Sequence, residues 1–134
     1  MSPDVALALS VAAHAGFQLT VTAIVYPALL EVPADRWREA HARHSARITP
    51  VVGVVYLLLA GTGGWALANG WSPLVLVTGA LIASVVLVTA LGAAPIHGRL
   101  RPDDVALRRR LLHVDRLRCL LALAAVVPSV LAVA

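Results

Sequence analysis

The sequence predicts an all-α integral membrane protein, a four-helix bundle. Three observations carry that class. Sixty per cent of the 134 residues are hydrophobic, only 13% are charged, and the mean hydropathy is +0.85. The apolar residues gather into four stretches near the ~20 residues that a helix needs to cross a bilayer core. The alternating pattern of a β-barrel, the other architecture that satisfies its backbone in lipid, is absent. A water-soluble domain of this length could not hide so much apolar surface. The length suits one domain, 1–134.

The first span is expected from about Val5 to Leu30, interrupted by His14 and Gln18. Met1-Ser2-Pro3-Asp4 lacks the basic start of a secretory signal, so this span is expected to stay attached. The second covers about Ile48 to Ala68, preceded by polar helical turns from Asp35. Pro50 is expected to interrupt it, with Thr49 helping to satisfy the freed carbonyl. Ala60 and Gly64, four apart, would let another helix approach closely. Asn69-Gly70 makes a tight turn, Ser72 a cap, and Pro73 opens a third span to about Ile96. The fourth runs from about Leu111 to Ala134, with Asp103 and Asp104 near the start of a basic leading helix.

There is no lysine, so all eleven cations are arginines. Arg36, Arg38, Arg43 and Arg47 fall between spans one and two, and the other seven between spans three and four or just inside four. The connection from two to three has none. The positive-inside rule then puts both charged loops in the cytoplasm and both termini on the non-cytoplasmic side of an inner, cytoplasmic membrane. These turns are too short and too membrane-bound for nucleic acid. One cysteine excludes an internal disulfide framework. No Gly-rich phosphate loop, serine nucleophile motif or CxxC pair is present.

The chemistry lies in "EAHARHSARITP", residues 39–50, and in what the other helices bring to the same depth. Counted from the cytoplasmic turns at ~1.5 Å per residue, His44 and His113 reach one level, roughly 15 Å in. His41 is shallower, Gln18, Arg47 and Arg116 slightly deeper, and His14 deepest; His97 ends the third helix. His41/His44 and His113/Arg116 are i,i+3 pairs, and His14/Gln18 an i,i+4 pair, so each pair shares a helix face. Such groups are costly toward lipid and are expected to face inward. Neutral imidazoles suit copper or iron, and bundle cores build metal sites from facing helices. His14, His41, His44, His97 and His113 are therefore the candidate ligands of one or two ions. The shortage of carboxylates disfavours a carboxylate-rich di-iron cage.

Arg47 and Arg116 would position an anionic or phenolate-like substrate oxygen, and Gln18 would add a supporting hydrogen bond. Plainer readings stand beside these. His41 and His44 suit a wet interfacial turn, His97 a helix cap, and His113 a basic face on anionic lipid. Trp37, Tyr26 and Tyr56 read as an aromatic belt or as the mouth of a pocket. Cys119 reads as a soft ligand or as an inert buried thiol.

"HAGFQLTVTAIVYPAL", "VPADRWREAHARHSARITP", "PIHGRL" and "HVDRLRC" together resemble small four-helix bacterial membrane proteins of the anthrone-oxygenase-like family. The resemblance implies oxygenation of polyketide-type aromatic substrates. Relatives of this pattern carry asparagine near His97 and His113, so histidine there implies a metal-dependent subgroup with other oxidative chemistry.

The expected function is thus a membrane-bound, copper- or iron-dependent oxidase or oxygenase of a small anionic or aromatic substrate. Two alternatives remain: a haem protein with an axial pair such as His14 and His113, and a non-enzymatic transporter or assembly subunit, which would need a homo-oligomer.

Overall fold

The computed structural model describes residues 1–134, is 85% helical and contains no strand. It has four helices: α1 (Pro3–Leu30), α2 (Trp37–Asn69), α3 (Pro73–Gly98) and α4 (Val105–Leu131). The first three are long and apolar enough to cross a membrane. The fourth has the length, but Asp115, Arg116 and Arg118 sit inside it. Large apolar side chains such as Ile24, Leu57 and Leu91 point outward, the opposite of what water favours.

Local chemistry sets the helix starts. Ser2 Oγ accepts from the Val5 N–H at 3.3 Å and Ser72 Oγ from the Val75 N–H at 3.2 Å. Each serine precedes a proline at the first helical position, where the missing N–H costs nothing. Asp104 Oδ1 caps α4, accepting from the Leu107 N–H at 2.8 Å. The α2–α3 turn hinges on Gly70, whose φ of +145° suits a residue without Cβ.

α1 and α3 share a second device. A single π turn spans Val21–Val25 in α1 and Thr89–Ala93 in α3, directly before Tyr26-Pro27 and Ala94-Pro95. Tyr26 N–H bonds the Val21 carbonyl and Ala94 N–H the Thr89 carbonyl, five residues back. Adding a residue to the turn lets the helix pass a proline that has no N–H and would collide with the preceding turn. The two halves of the chain are therefore built alike: a Ser-Pro start, a π turn ahead of a second proline, a short loop, then a long helix. No repeat of letters announces this.

Two sequence expectations change. α2 runs unbroken through Pro50, and the Thr49 hydroxyl donates to the Ser45 carbonyl at 2.8 Å, one residue before the carbonyl that Pro50 frees. Ala60 and Gly64 face outward with no neighbouring helix on them; Gly63, against Leu7, turns inward instead. The close approach lies elsewhere, at Gly92 in the π turn of α3, where an added Cβ would stand 3.1 Å from Val114 Cγ1. Gly92→Val is accordingly expected to cost about 1–3 kcal/mol by overpacking. Gly79→Val, with nothing within 4 Å, is the control on the same helix. Thermal unfolding in detergent checks this, and equal losses at both sites would refute the close contact.

α1 packs broadly on α2 and α4, and α4 on α3, whereas α2 and α3 meet lightly. One apolar core gathers Leu7, Val11, Leu59, Ala66, Val75 and Ala125, and another gathers Tyr26, Leu29, Trp37, Ile96 and Leu111 toward the arginine-rich ends. A polar layer lies between them.

Candidate functional site

The layer begins on α4. Asp115 is wholly buried, and both its oxygens are engaged. Oδ1 accepts from Gln18 Nε2 at 2.8 Å and from an Arg118 guanidinium nitrogen at 3.3 Å. Oδ2 accepts from the Thr22 hydroxyl at 2.7 Å. Thr22 lies in the first π turn, so the bulge that passes Pro27 also carries a second donor to the acid. Arg118 is itself only 5% exposed, and its Nε has no partner. A buried ion pair held this way is strongly positioned, because each removed donor leaves charge unanswered.

His14, 1% exposed, sits apart from the other imidazoles, its ring edge-on to Tyr56 at 5.8 Å. Tyr56 Oη lies 2.7 Å from Thr89 Oγ1. Because the Thr89 hydroxyl donates to the Val85 carbonyl, Tyr56 is the donor of that bond. It is one of two polar stitches across the lightly packed α2–α3 seam, the other joining Ser45 and His97.

Toward the arginine-rich end an aromatic stack closes the bundle. Arg108 lies over Trp37 at 5.3 Å, and Trp37 stacks on His41 at 5.3 Å. His41 follows on His97 at 4.6 Å, with His44 5.5 Å from His97. Tyr26 stands 5.9 Å from His97 and 6.5 Å from His44. Ser45 Oγ is 3.3 Å from His97 Nε2. Two nitrogens of the trio, His41 Nε2 and His97 Nδ1, are buried without a partner.

Beneath this stack is a chamber of about 240 Å³, with walls from all four helices. Its apolar side includes Phe17, Val21 and Val52, and its polar side is Tyr26, His44, His97 and Arg118. The second π turn supplies Thr89 and Ala93, so both bulges border the cavity. His44 also lines an outer groove with Arg43 and Arg47.

No family model, no curated protein and no solved structure matches this chain. Its chemistry has to be read from the side chains themselves.

Of the residues singled out in the sequence, the fold brings His41, His44 and His97 together and places Gln18 on Asp115. His14 is buried as expected but joins Tyr56 rather than the trio. Three side chains do not face inward. His113 is exposed, with Nδ1 2.7 Å from the Arg109 carbonyl; Arg116 is exposed one turn on; Arg47 is exposed in the outer groove. The proposed haem pair of His14 and His113 therefore sits on a buried and an exposed face and does not meet.

The five-histidine metal site does not assemble either: no group of three or more His, Cys, Asp or Glu side chains is placed to hold an ion. His14 lies against Tyr56 and His113 faces outward, and in the remaining trio the His41 and His97 rings stand 4.6 Å apart, tilted by 39°. Tyr26 and Trp37 are buried, so neither forms an interfacial belt, and Cys119 is a buried free thiol.

Sequence reasoning missed Arg118 and the central role of Asp115. Their signal was present: Asp115, Arg118, Cys119, Ala122 and Ala125 recur at three- and four-residue steps, and small residues mark a packed helix face.

Proposed function

We propose that this chain is a multi-pass protein of the inner membrane, with α4 crossing beside the other three helices and both termini on the non-cytoplasmic side. Within it, the chamber is the site of an oxidoreductase that acts on a small aromatic substrate. The placement is supported by the arginines gathered at one end of the bundle and the outward-facing leucines. The functional reading rests on one observation: a 240 Å³ chamber with an aromatic and aliphatic wall facing Tyr26, His44, His97 and Arg118. A few convergent polar groups in an apolar pocket are what a small-molecule site requires.

Oxidation of a phenolic or enolisable aromatic removes protons along with electrons. His44 and His97 are the bases at the chamber wall, and Ser45 can hold one His97 tautomer. Arg118 and Tyr26 supply donors for the oxygen on which negative charge develops. Dioxygen is the oxidant used by the oxygenases that the motifs resemble. Oxygen uptake by the protein in lipid nanodiscs, across a panel of phenols, tests this. Saturable uptake is expected for the native chain and not for Val52→Trp, which fills the chamber; equal rates would end the reading.

Copper or iron on His41, His44 and His97 is the second reading, favoured by the two unpartnered nitrogens. It needs the three rings to reorient until their nitrogens converge on one point. Elemental analysis of protein without a histidine tag decides it: stoichiometric metal lost in His41→Ala supports it, and background metal does not.

A further inference from the structure

Charge at the chamber wall is balanced, while hydrogen-bond donors are in excess. Asp115 answers the charge of Arg118 at 3.3 Å, and the acid's oxygens are both taken. A guanidinium has five N–H donors. Asp115 accepts only one of them, and Nε is buried with no partner. His97 Nδ1, on the same wall and also partnerless, is the acceptor a base needs, so the spare donors are those of Arg118. An anion brought into this layer would leave it with an uncompensated negative charge among apolar neighbours, which is costly. A neutral acceptor oxygen would use the free donors without that cost.

Size and setting narrow the ligand further. A volume of 240 Å³ is below the ~300–1,000 Å³ of sites for drug-sized ligands, so it suits one substituted ring. The chamber borders the seam where α2 and α3 pack lightly, among helices whose outer faces are apolar. A molecule dissolved in lipid would reach it sideways, keeping any alkyl chain outside.

We infer, within the oxidoreductase reading, that the chamber takes a neutral, membrane-dissolved quinol and releases it as the quinone, its two electrons and two protons passing to dioxygen to give hydrogen peroxide, with Arg118 donating to one ring oxygen of either form. This names the substrate class and replaces the anionic substrate as the expected ligand.

The test uses two probes with one tail, decyl-benzoquinone and para-decylbenzoate. Each is partitioned between empty nanodiscs and nanodiscs holding the full chain. Saturable quinone binding is expected, at least about tenfold tighter than benzoate binding, the ratio that one good hydrogen bond to a charged donor supplies. Arg118→Gln should weaken the quinone by a similar factor, and Val52→Trp should abolish its binding. Benzoate binding tighter than quinone, and lost in Val52→Trp, would overturn the quinone while leaving the chamber a site. Binding of either probe that survives Val52→Trp unchanged would overturn the chamber reading itself. The two-probe comparison on the native chain decides the matter even if Arg118→Gln fails to fold.

Discussion

Asp115→Ala is expected to destabilise the bundle by about 3–5 kcal/mol, more than any other single substitution considered. The carboxylate is wholly buried and joins three helical positions through Gln18, Thr22 and Arg118. Its removal would strand the Arg118 guanidinium, 5% exposed, with no anion in reach. The loss is therefore mostly the cost of an unanswered buried charge rather than the worth of the pair. That distinction makes a second expectation. Asp115→Ala/Arg118→Met, which removes both charges and keeps the volume of the longer chain, should recover most of the stability. Reversible unfolding in bicelles measures both. A double variant as unstable as the single one would show that Gln18 and Thr22, not the ion pair, hold this layer together.

The same pair shows where the sequence stops being informative. Four apolar stretches, the Ser72-Pro73 start and the Asn69-Gly70 turn are legible because each depends on local chemistry: hydropathy, a cap, a glycine. The His41/His44 pair is legible too, since i,i+3 spacing puts both on one face whatever the helix packs against. What is not local is which way α4 is turned. His113 and Arg116 share one face, and Asp115 and Arg118 share another. At about 100° per residue, a two-residue step turns about 200°, nearly to the opposite side. Choosing the histidine for the interior therefore puts the ion pair in lipid, and choosing the ion pair puts the histidine outside. The fold takes the second option because Cys119, Ala122 and Ala125 follow Asp115 and Arg118 along the buried face, and these small side chains let α1 and α3 pack closely on α4. The π turns were hidden for a related reason. Pro27 and Pro95 are plain in the sequence, but a proline can kink, break or bulge a helix, and packing selects among these.

That inversion of α4 yields the second large expectation, a contrast between two histidines that the sequence treats alike. His97→Ala is expected to lower turnover by about 10²–10⁴-fold, the range associated with loss of a general acid or base. His113→Ala should stay within about twofold of the native rate. His97 lines the chamber, lies 4.6 Å from His41 and 5.5 Å from His44, and keeps a nitrogen free for a proton. His113 is exposed and turned back on its own helix at the Arg109 carbonyl, 2.7 Å away. Oxygen uptake with the best phenol of the panel reads both variants, and unfolding midpoints confirm that each is folded. His97→Gln adds a control, since it retains polarity and approximate size but has no imidazole to titrate, and it should be as inactive as His97→Ala. If His113→Ala instead abolished turnover while His97→Ala did not, the imidazole cluster under the aromatic stack would be structural. The chemistry would then belong on the outer basic face of α4, beside Arg109 and Arg116.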